Sequence, residues 1–221
     1  MTRESVLGVV ARHLSKREVG HPLRVGIDGV CGAGKTTFLV DLARHLDELA
    51  RPVIRVDSDG FHHSRAIRYR RGKTSARGYY EDAYDFDALR DHVLVPLGPE
   101  GSRRYASRVH DMATDQAVRD WDSAPQNAIV LFDATFIQRD DLRDQWDEVI
   151  YLDVSMERAQ ARGVARDADA LGGVDGATFA YESRYMAACR IYLAEQRPRE
   201  QASIVIDHDD TASPKLARGA S

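Results

Sequence analysis

The chain has 221 residues, a formal net charge of −4, and 43% hydrophobic against 30% charged residues. That length suits one domain, or one domain with a lid, and the mildly acidic balance argues against nucleic acid as the main partner. No apolar run approaches the ~18 residues of a membrane span and no signal-peptide pattern opens the chain, so a cytoplasmic protein without a membrane partner is expected.

Taken in order, residues 4–16 carry Val6, Leu7, Val10 and Leu14 at helical spacing. Residues 23–28 form a short apolar run after Pro22 and read as a buried strand. Next comes G-V-C-G-A-G-K-T-T: Gly29, Val30, Cys31, Gly32, Ala33, Gly34, Lys35, Thr36 and Thr37. It fits G-x-x-x-x-G-K-[ST], the loop whose backbone N–H groups cradle phosphates at a helix N-terminus. In that chemistry Lys35 reaches the β- and γ-phosphates and the Thr36 hydroxyl reaches Mg²⁺. Phe38, Leu39, Leu42, Ala43 and Leu46 continue at helical spacing. Cys31 and Cys189 have no metal-ligand spacing; Cys31 is either a thiol acidified by the helix terminus or a small residue that fits the loop.

Residues 53–56 read as a second strand, delivering Asp57-Ser58-Asp59-Gly60-Phe61-His62 to the ligand crevice. Residues 64–77 are basic, and 79–86 are aromatic and acidic. The pattern predicts a helix from about 87 to 95, a strand or hairpin over 105–112, and buried strands at 128–132 and 149–153. A helix from 155 bears Arg158, Arg162 and Arg166 on one face, and a mobile loop is expected over 169–177. A helix over 178–196, a strand at 204–206 and a frayed tail from 208 to 221 complete the reading. Apolar strands alternating with helices imply one α/β domain, residues 1–207, with a parallel sheet covered on both faces.

The loop alone does not separate a switch, a motor and a small-molecule kinase. No lysine follows an asparagine, so the guanine-reading N-K-x-D of common GTPases is absent. What is present is a set of carboxylates at strand ends. Asp59 is placed to accept a hydroxyl proton and hold the oxygen in line, with Asp57 as its rival. Asp133, closing the strand at 128–132, is placed to help hold Mg²⁺ or to cap the next helix. Arg162 and Arg166, with the glycine-bearing loop behind them, read as a lid over about 158–177, or as a solvated face. The basic run recognises an acidic acceptor or is surface. Tyr105 and His110 either contact the acceptor or are half-buried strand residues.

These residues resemble the uridine kinase, phosphoribulokinase and pantothenate kinase family of P-loop kinases. The resemblance covers about residues 23–207 and rests on G-x-x-G-x-G-K-T-T at 29–37, D-G-F-H at 59–62, D-A-Y-D-F-D at 82–87, F-D at 132–133 and R-x-x-x-R-D at 162–167. It implies a P-loop NTPase of nucleoside kinase-like, three-layer form with a helical lid. The implied activity is ATP- and Mg²⁺-dependent phosphorylation of an alcohol on a small molecule. A uridine- or cytidine-like nucleoside leads; pantothenate, a sugar phosphate or a nucleoside-like natural product are alternatives, and an acceptor-less nucleotide-binding regulator is a third reading. By resemblance Asp59 is the base, Asp133 and Thr36 serve the metal together with Asp59, Arg162 and Arg166 contact phosphates, and Tyr105 and His110 contact the acceptor. Phe61 and Tyr84 belong to the motifs expected at the acceptor. Three departures stand out: Glu81 or Asp82 must replace the family's ribose-holding aspartate, Asp133-Ala134 stands for Glu-Gly, and position 107 is serine. Dimers or tetramers, common in that family, are the implied homo-oligomers.

Overall fold

The computed structural model describes residues 2–220. Helix α1 (Arg3–Ser15) begins where the Thr2 hydroxyl accepts a hydrogen bond from the Ser5 amide, and it buries Val6, Leu7, Val10 and Leu14 on one stripe. Strand β1 (Leu23–Asp28) is buried along its whole length, as a strand covered on both faces must be. The phosphate-binding loop follows, then α2 (Lys35–Asp47), whose apolar stripe from Phe38 to Leu46 packs inward. Strand β2 (Val53–Val56) runs into a 3-10 turn, Ser58–Phe61, that Asp57 caps by accepting from the Asp59 amide.

Three short helices come next: α3 (Arg65–Arg68), α4 (Ala76–Asp82) and α5 (Phe86–Leu89). The helix expected over 87–95 is present, but its second half, Arg90–Leu94, is a π turn. Strands β3 (Arg104–Asp111) and β4 (Gln116–Ser123) form a separate antiparallel hairpin. β4 buries none of its residues and left no sequence signal. Strand β5 (Ile129–Asp133) is fully buried, and β6 (Glu148–Asp153) nearly so. Then come α6 (Met156–Asp167), α7 (Gly173–Ala180), a π turn at Tyr181–Tyr185, α8 (Met186–Gln196), the short α9 (Pro198–Gln201), and strands β7 (Ile204–Asp207) and β8 (Lys215–Arg218).

The main sheet has the order β2-β5-β1-β6-β7-β8. The first five strands are parallel, so their C-terminal ends share one edge, where open α/β sheets bind ligands. β1 is central, with the chain turning to β5 and β2 on one side and to β6 and β7 on the other. The phosphate-binding loop therefore rises from the middle of the ligand edge. No helix of the described residues is long and apolar enough to cross a membrane.

Two expectations need correction. The tail from 208 is not frayed: β8 pairs antiparallel with β7, which also makes the sheet mainly rather than wholly parallel. His208 is 1% exposed. An exposed edge strand with one half-buried residue shows no hydrophobic pattern, so sequence periodicity misses it. Residue 221 lies outside the described residues. The stretch 169–177 is not all loop, since α7 begins at Gly173. Gly176 is there because a Cβ would stand 2.1 Å from the Leu171 carbonyl oxygen, so the glycine marks a close approach rather than mobility.

Candidate active site

The loop from Gly29 to Gly34 is shaped by what packs beneath it. Asp28, fully buried at the end of β1, accepts the Gly29 amide hydrogen at 2.7 Å, Gln138 Nε2 at 2.7 Å and the Tyr192 hydroxyl at 2.5 Å. Burial pushes its carboxyl upward, and the Tyr192, Gln138 and Gly29 donors pull it back. Gly32 has φ +83° and would place a Cβ 2.0 Å from the Ala159 carbonyl oxygen, so no larger residue fits between loop and lid helix. Behind the loop, His208 Nδ1 lies 2.9 Å from the Ala33 carbonyl oxygen and its ring meets Phe38 edge-on at 5.8 Å.

A cavity of about 540 Å³ opens over the loop. Lys35, Thr36, Asp59, Tyr84, Asp133 and Arg166 all line it, although they come from five places in the chain. Lys35 Nζ donates to the Gly29 and Val30 carbonyl oxygens and to Thr135 Oγ1, over 3.0, 3.1 and 2.9 Å. The Thr36 hydroxyl donates to Asp133 Oδ2 at 2.8 Å. Asp59 lines the same cavity with its side chain 73% exposed. Partial burial and then the neighbouring Asp57 push its carboxyl above the usual range, against the cations of Arg68 and Arg166. Asp57, the rival base, spends a carboxylate oxygen on the Asp59 amide and does not line the cavity.

The oxygen pair of Thr36 and Asp133 suits a hard divalent cation. Burial raises the Asp133 carboxyl, while Thr36 and Lys35 lower it. Among the described residues no cluster of three His, Cys, Asp or Glu side chains could hold a metal by itself. That fits Mg²⁺, which is bound through one or two protein oxygens plus phosphates and water.

The two arginines differ in reach: Arg166 lines both the cavity over the loop and a second one, and Arg162 lines the second. Arg166 reaches the main cavity and donates to Asp167 at 2.8 Å and to the Tyr181 hydroxyl at 3.2 Å. Arg162 lines a second cavity of about 510 Å³ on the other side of the loop, with Arg3, Thr37, His208 and Thr211. It also donates to the His208 carbonyl oxygen at 3.2 Å. Arg158 turns instead to Asp209, whose carboxylate accepts from the Ser155 amide at 2.7 Å and caps the lid helix. The residues after β7 thus form a wall of the site. Nothing in their composition signals this, because it follows from where β7 ends.

Several other expected contacts lie elsewhere. Phe61 is fully buried and packs edge-on against Phe132 at 6.2 Å, so it supports the sheet end and does not line the cavity over the loop. Glu81 pairs with Arg71 and with Arg77 at 3.3 Å, and buried Asp82 pairs with Arg70 and with Arg71 at 3.1 Å. Neither carboxylate reaches a cavity, because the basic run consumes both. Tyr105 is 5% exposed within the hairpin and lines none of the cavities. His110 lines a third cavity, of about 480 Å³, between the hairpin and α5, and lies 3.2 Å from Asp115.

Sequence reasoning passed over Asp28, Thr135, Tyr192 and His208. A carboxylate just before the first loop glycine was a usable signal for the first, and a hydroxyl two residues after Asp133 for the second. Cys31 is seated with its amide hydrogen on Cys189 Sγ at 3.4 Å, and that thiol and Lys35 lower its own against burial. His62, expected in the ligand crevice with the rest of its cluster but given no role of its own, is buried, and burial drives its ring down to about 4, so it is neutral near pH 7.

No family model matches the chain. A protein named uridine kinase in Brevibacillus brevis is 22% identical over 156 residues, 70% of each chain. Among solved structures, one described as a possible uridine kinase from Bacillus stearothermophilus superposes with a TM-score of 0.71 at 22% identity, covering 93% of this chain and 97% of that one. A candidate fructose transport system kinase from Silicibacter sp. TM1040 gives a TM-score of 0.71 at 25% identity over 89% of this chain and 96% of that one. The fold is that of P-loop kinases, and the likeness to uridine kinase-like proteins drawn from the motifs is supported. The same names support a phosphotransferase.

Proposed function

We propose that the chain is an ATP-dependent kinase that moves the γ-phosphoryl group onto an alcohol hydroxyl of a small molecule, with a uridine- or cytidine-like nucleoside as the leading acceptor. One observation carries the reading: Asp59 lines the same cavity as Lys35, Thr36 and Asp133. A phosphate loop with no partner would serve any nucleotide-binding protein, whereas a carboxylate opposite it serves transfer to a hydroxyl.

The triphosphate rests on the loop amides, and its nucleoside fits the second cavity beside Arg162 and His208. Lys35 exchanges its carbonyl partners for phosphate oxygens. Thr36 and Asp133 would hold Mg²⁺, and the ion would supply charge neutralisation of the triphosphate. Arg166 screens charge from the lid side. Asp59 orients the acceptor hydroxyl and takes its proton, help typically worth ~10²–10⁴ in rate. The consumption of Arg70, Arg71 and Arg77 by Glu81, Asp82 and Glu195 weakens the case for a phosphorylated acceptor, since those cations are already partnered.

The test incubates the protein with ATP, Mg²⁺ and a panel of nucleosides, pantothenate and sugar phosphates, and follows ADP release, with Lys35→Ala as control. Release that depends on one acceptor and is lost in the variant supports the reading and names the substrate. Release independent of every acceptor favours a nucleotide-binding regulator instead.

A further inference from the structure

Two cavities meet at one side chain. His62 lines both the cavity over the phosphate-binding loop and the third cavity under the hairpin. Its ring is held firmly. It stacks on Tyr84 with centroids 4.3 Å apart and planes 28° from parallel, and the two backbones form an isolated β-bridge. Only 10% of the side chain is exposed.

The ring's hydrogen-bonding sense is also set. Nδ1 lies 2.9 Å from the Ala83 carbonyl oxygen, which can only accept, so Nδ1 carries the proton. In the neutral ring Nε2 is then a bare lone pair. The charges around the ring are mixed. Arg68 and His110 oppose a second proton and Asp57 favours one, while burial is the largest influence and opposes it. Nε2 stands 3.7 Å from Asp59 Oδ1. Two hydrogen-bond acceptors sit side by side at the point where an acceptor molecule would react, and neither can satisfy the other.

We propose that His62 is a specificity-determining residue whose Nε2 accepts a hydrogen bond from a second hydroxyl of the acceptor, next to the hydroxyl that Asp59 activates. This rests on the kinase reading and narrows it to a substrate class. The acceptor is a diol or polyol with two hydroxyls on neighbouring or next-but-one carbons. Each O–H spans ~2.7–2.8 Å to its acceptor atom, and two donors that approach atoms 3.7 Å apart from the same side stand about as close as hydroxyls on neighbouring or next-but-one carbons. A mono-alcohol would leave Nε2 desolvated and unpaired, which is how a site rejects an analogue lacking a hydroxyl.

The experiment pairs each acceptor that works with its analogue lacking the hydroxyl nearest the reacting one, such as uridine with 3′-deoxyuridine and pantothenate with its 2-deoxy analogue. The wild-type protein is expected to prefer the diol by ~10–100-fold in kcat/KM. His62→Phe, which keeps a ring on Tyr84, should bring that ratio near one by raising KM for the diol alone. His62→Asn, which retains an acceptor oxygen, should restore part of it. Equal loss on both members of a pair would make His62 merely structural and overturn the proposal. If no alcohol gives acceptor-dependent ADP release, the kinase reading itself falls and takes this inference with it. A substrate-free measurement separates the two failures and stands even if a variant misfolds. Nitrogen-15 NMR of the histidine rings should show His62 protonated at Nδ1 with Nε2 bare; a proton on Nε2 would overturn the inference whatever the reaction.

Discussion

The Thr36 hydroxyl donates a 2.8 Å hydrogen bond to the Asp133 carboxylate from a residue 97 positions away, joining the first turn of α2 to the end of β5. Both residues line the cavity over the loop, and on the proposed kinase reading they would hold the cation beside the phosphates. Asp133→Asn keeps the shape and removes the charge. It is expected to raise the Mg²⁺ concentration for half-maximal turnover by ~10–100-fold, read from Mg²⁺ titrations at saturating ATP. An unchanged titration would remove Asp133 from the metal.

Asp59 and Asp57 predict a pH dependence with a definite sign. A base works ionised, so turnover should rise with pH through the Asp59 pKa, which partial burial and Asp57 hold above the usual carboxylate range. Asp57→Asn preserves an oxygen for the Asp59 amide and removes the neighbouring negative charge. The acid limb of the pH–rate profile should therefore move to lower pH. Asp59→Asn should cost ~10²–10⁴ in kcat at every pH. An acid limb that stays put in the first variant, or near-full turnover in the second, rejects the assignment.

Tyr192 supports the loop from below. Its hydroxyl donates to Asp28 Oδ2 and accepts the Gln138 amide hydrogen at 3.0 Å. Tyr192→Phe strips one donor from a fully buried carboxylate and orphans a buried amide. Denaturant unfolding should show a loss of ~1–3 kcal/mol. A stability within a few tenths of the parent would mean that the Asp28 network is slack.

Gly163 lies where α6 meets the π turn, and a Cβ there would stand 2.2 Å from the Tyr181 ring. Gly163→Ala must push that ring aside, breaking its 2.7 Å hydrogen bond to Asp167 and its contact with Arg166. Overpacking of this kind costs ~1–3 kcal/mol. The expected result is a lower Tm together with a raised KM for ATP, because Arg166 loses the partners that aim it. A lower Tm with unchanged kinetics would show that the aim of Arg166 does not depend on Tyr181.

Much of the donor half of the site was legible along the chain, because its parts are local. Gly29 to Thr37 are contiguous, and their glycines, lysine and threonine are demanded by backbone geometry and phosphate chemistry at fixed spacing. Asp133 closes one short apolar run and Asp59 comes three residues after another, and parallel strands deliver their C-terminal ends to one edge. The buried runs of β1, β5 and β6 announced themselves by composition alone.

Pairings over long separations were left to the tertiary structure. That Glu81 and Asp82 answer the basic run, rather than an acceptor, depends on α4 folding back beside α3. That Phe61 is core while His62 faces two cavities depends on a 3-10 turn that no hydrophobic period encodes. His208 became a wall of the site only because β7 ends beside the loop and β8 pins the chain after it. The amino-acid order alone determines where a triphosphate can rest, since a phosphate cradle is built from consecutive amides. What lies opposite it is decided by the fold, since an acceptor pocket is made of side chains that meet only after the sheet has closed.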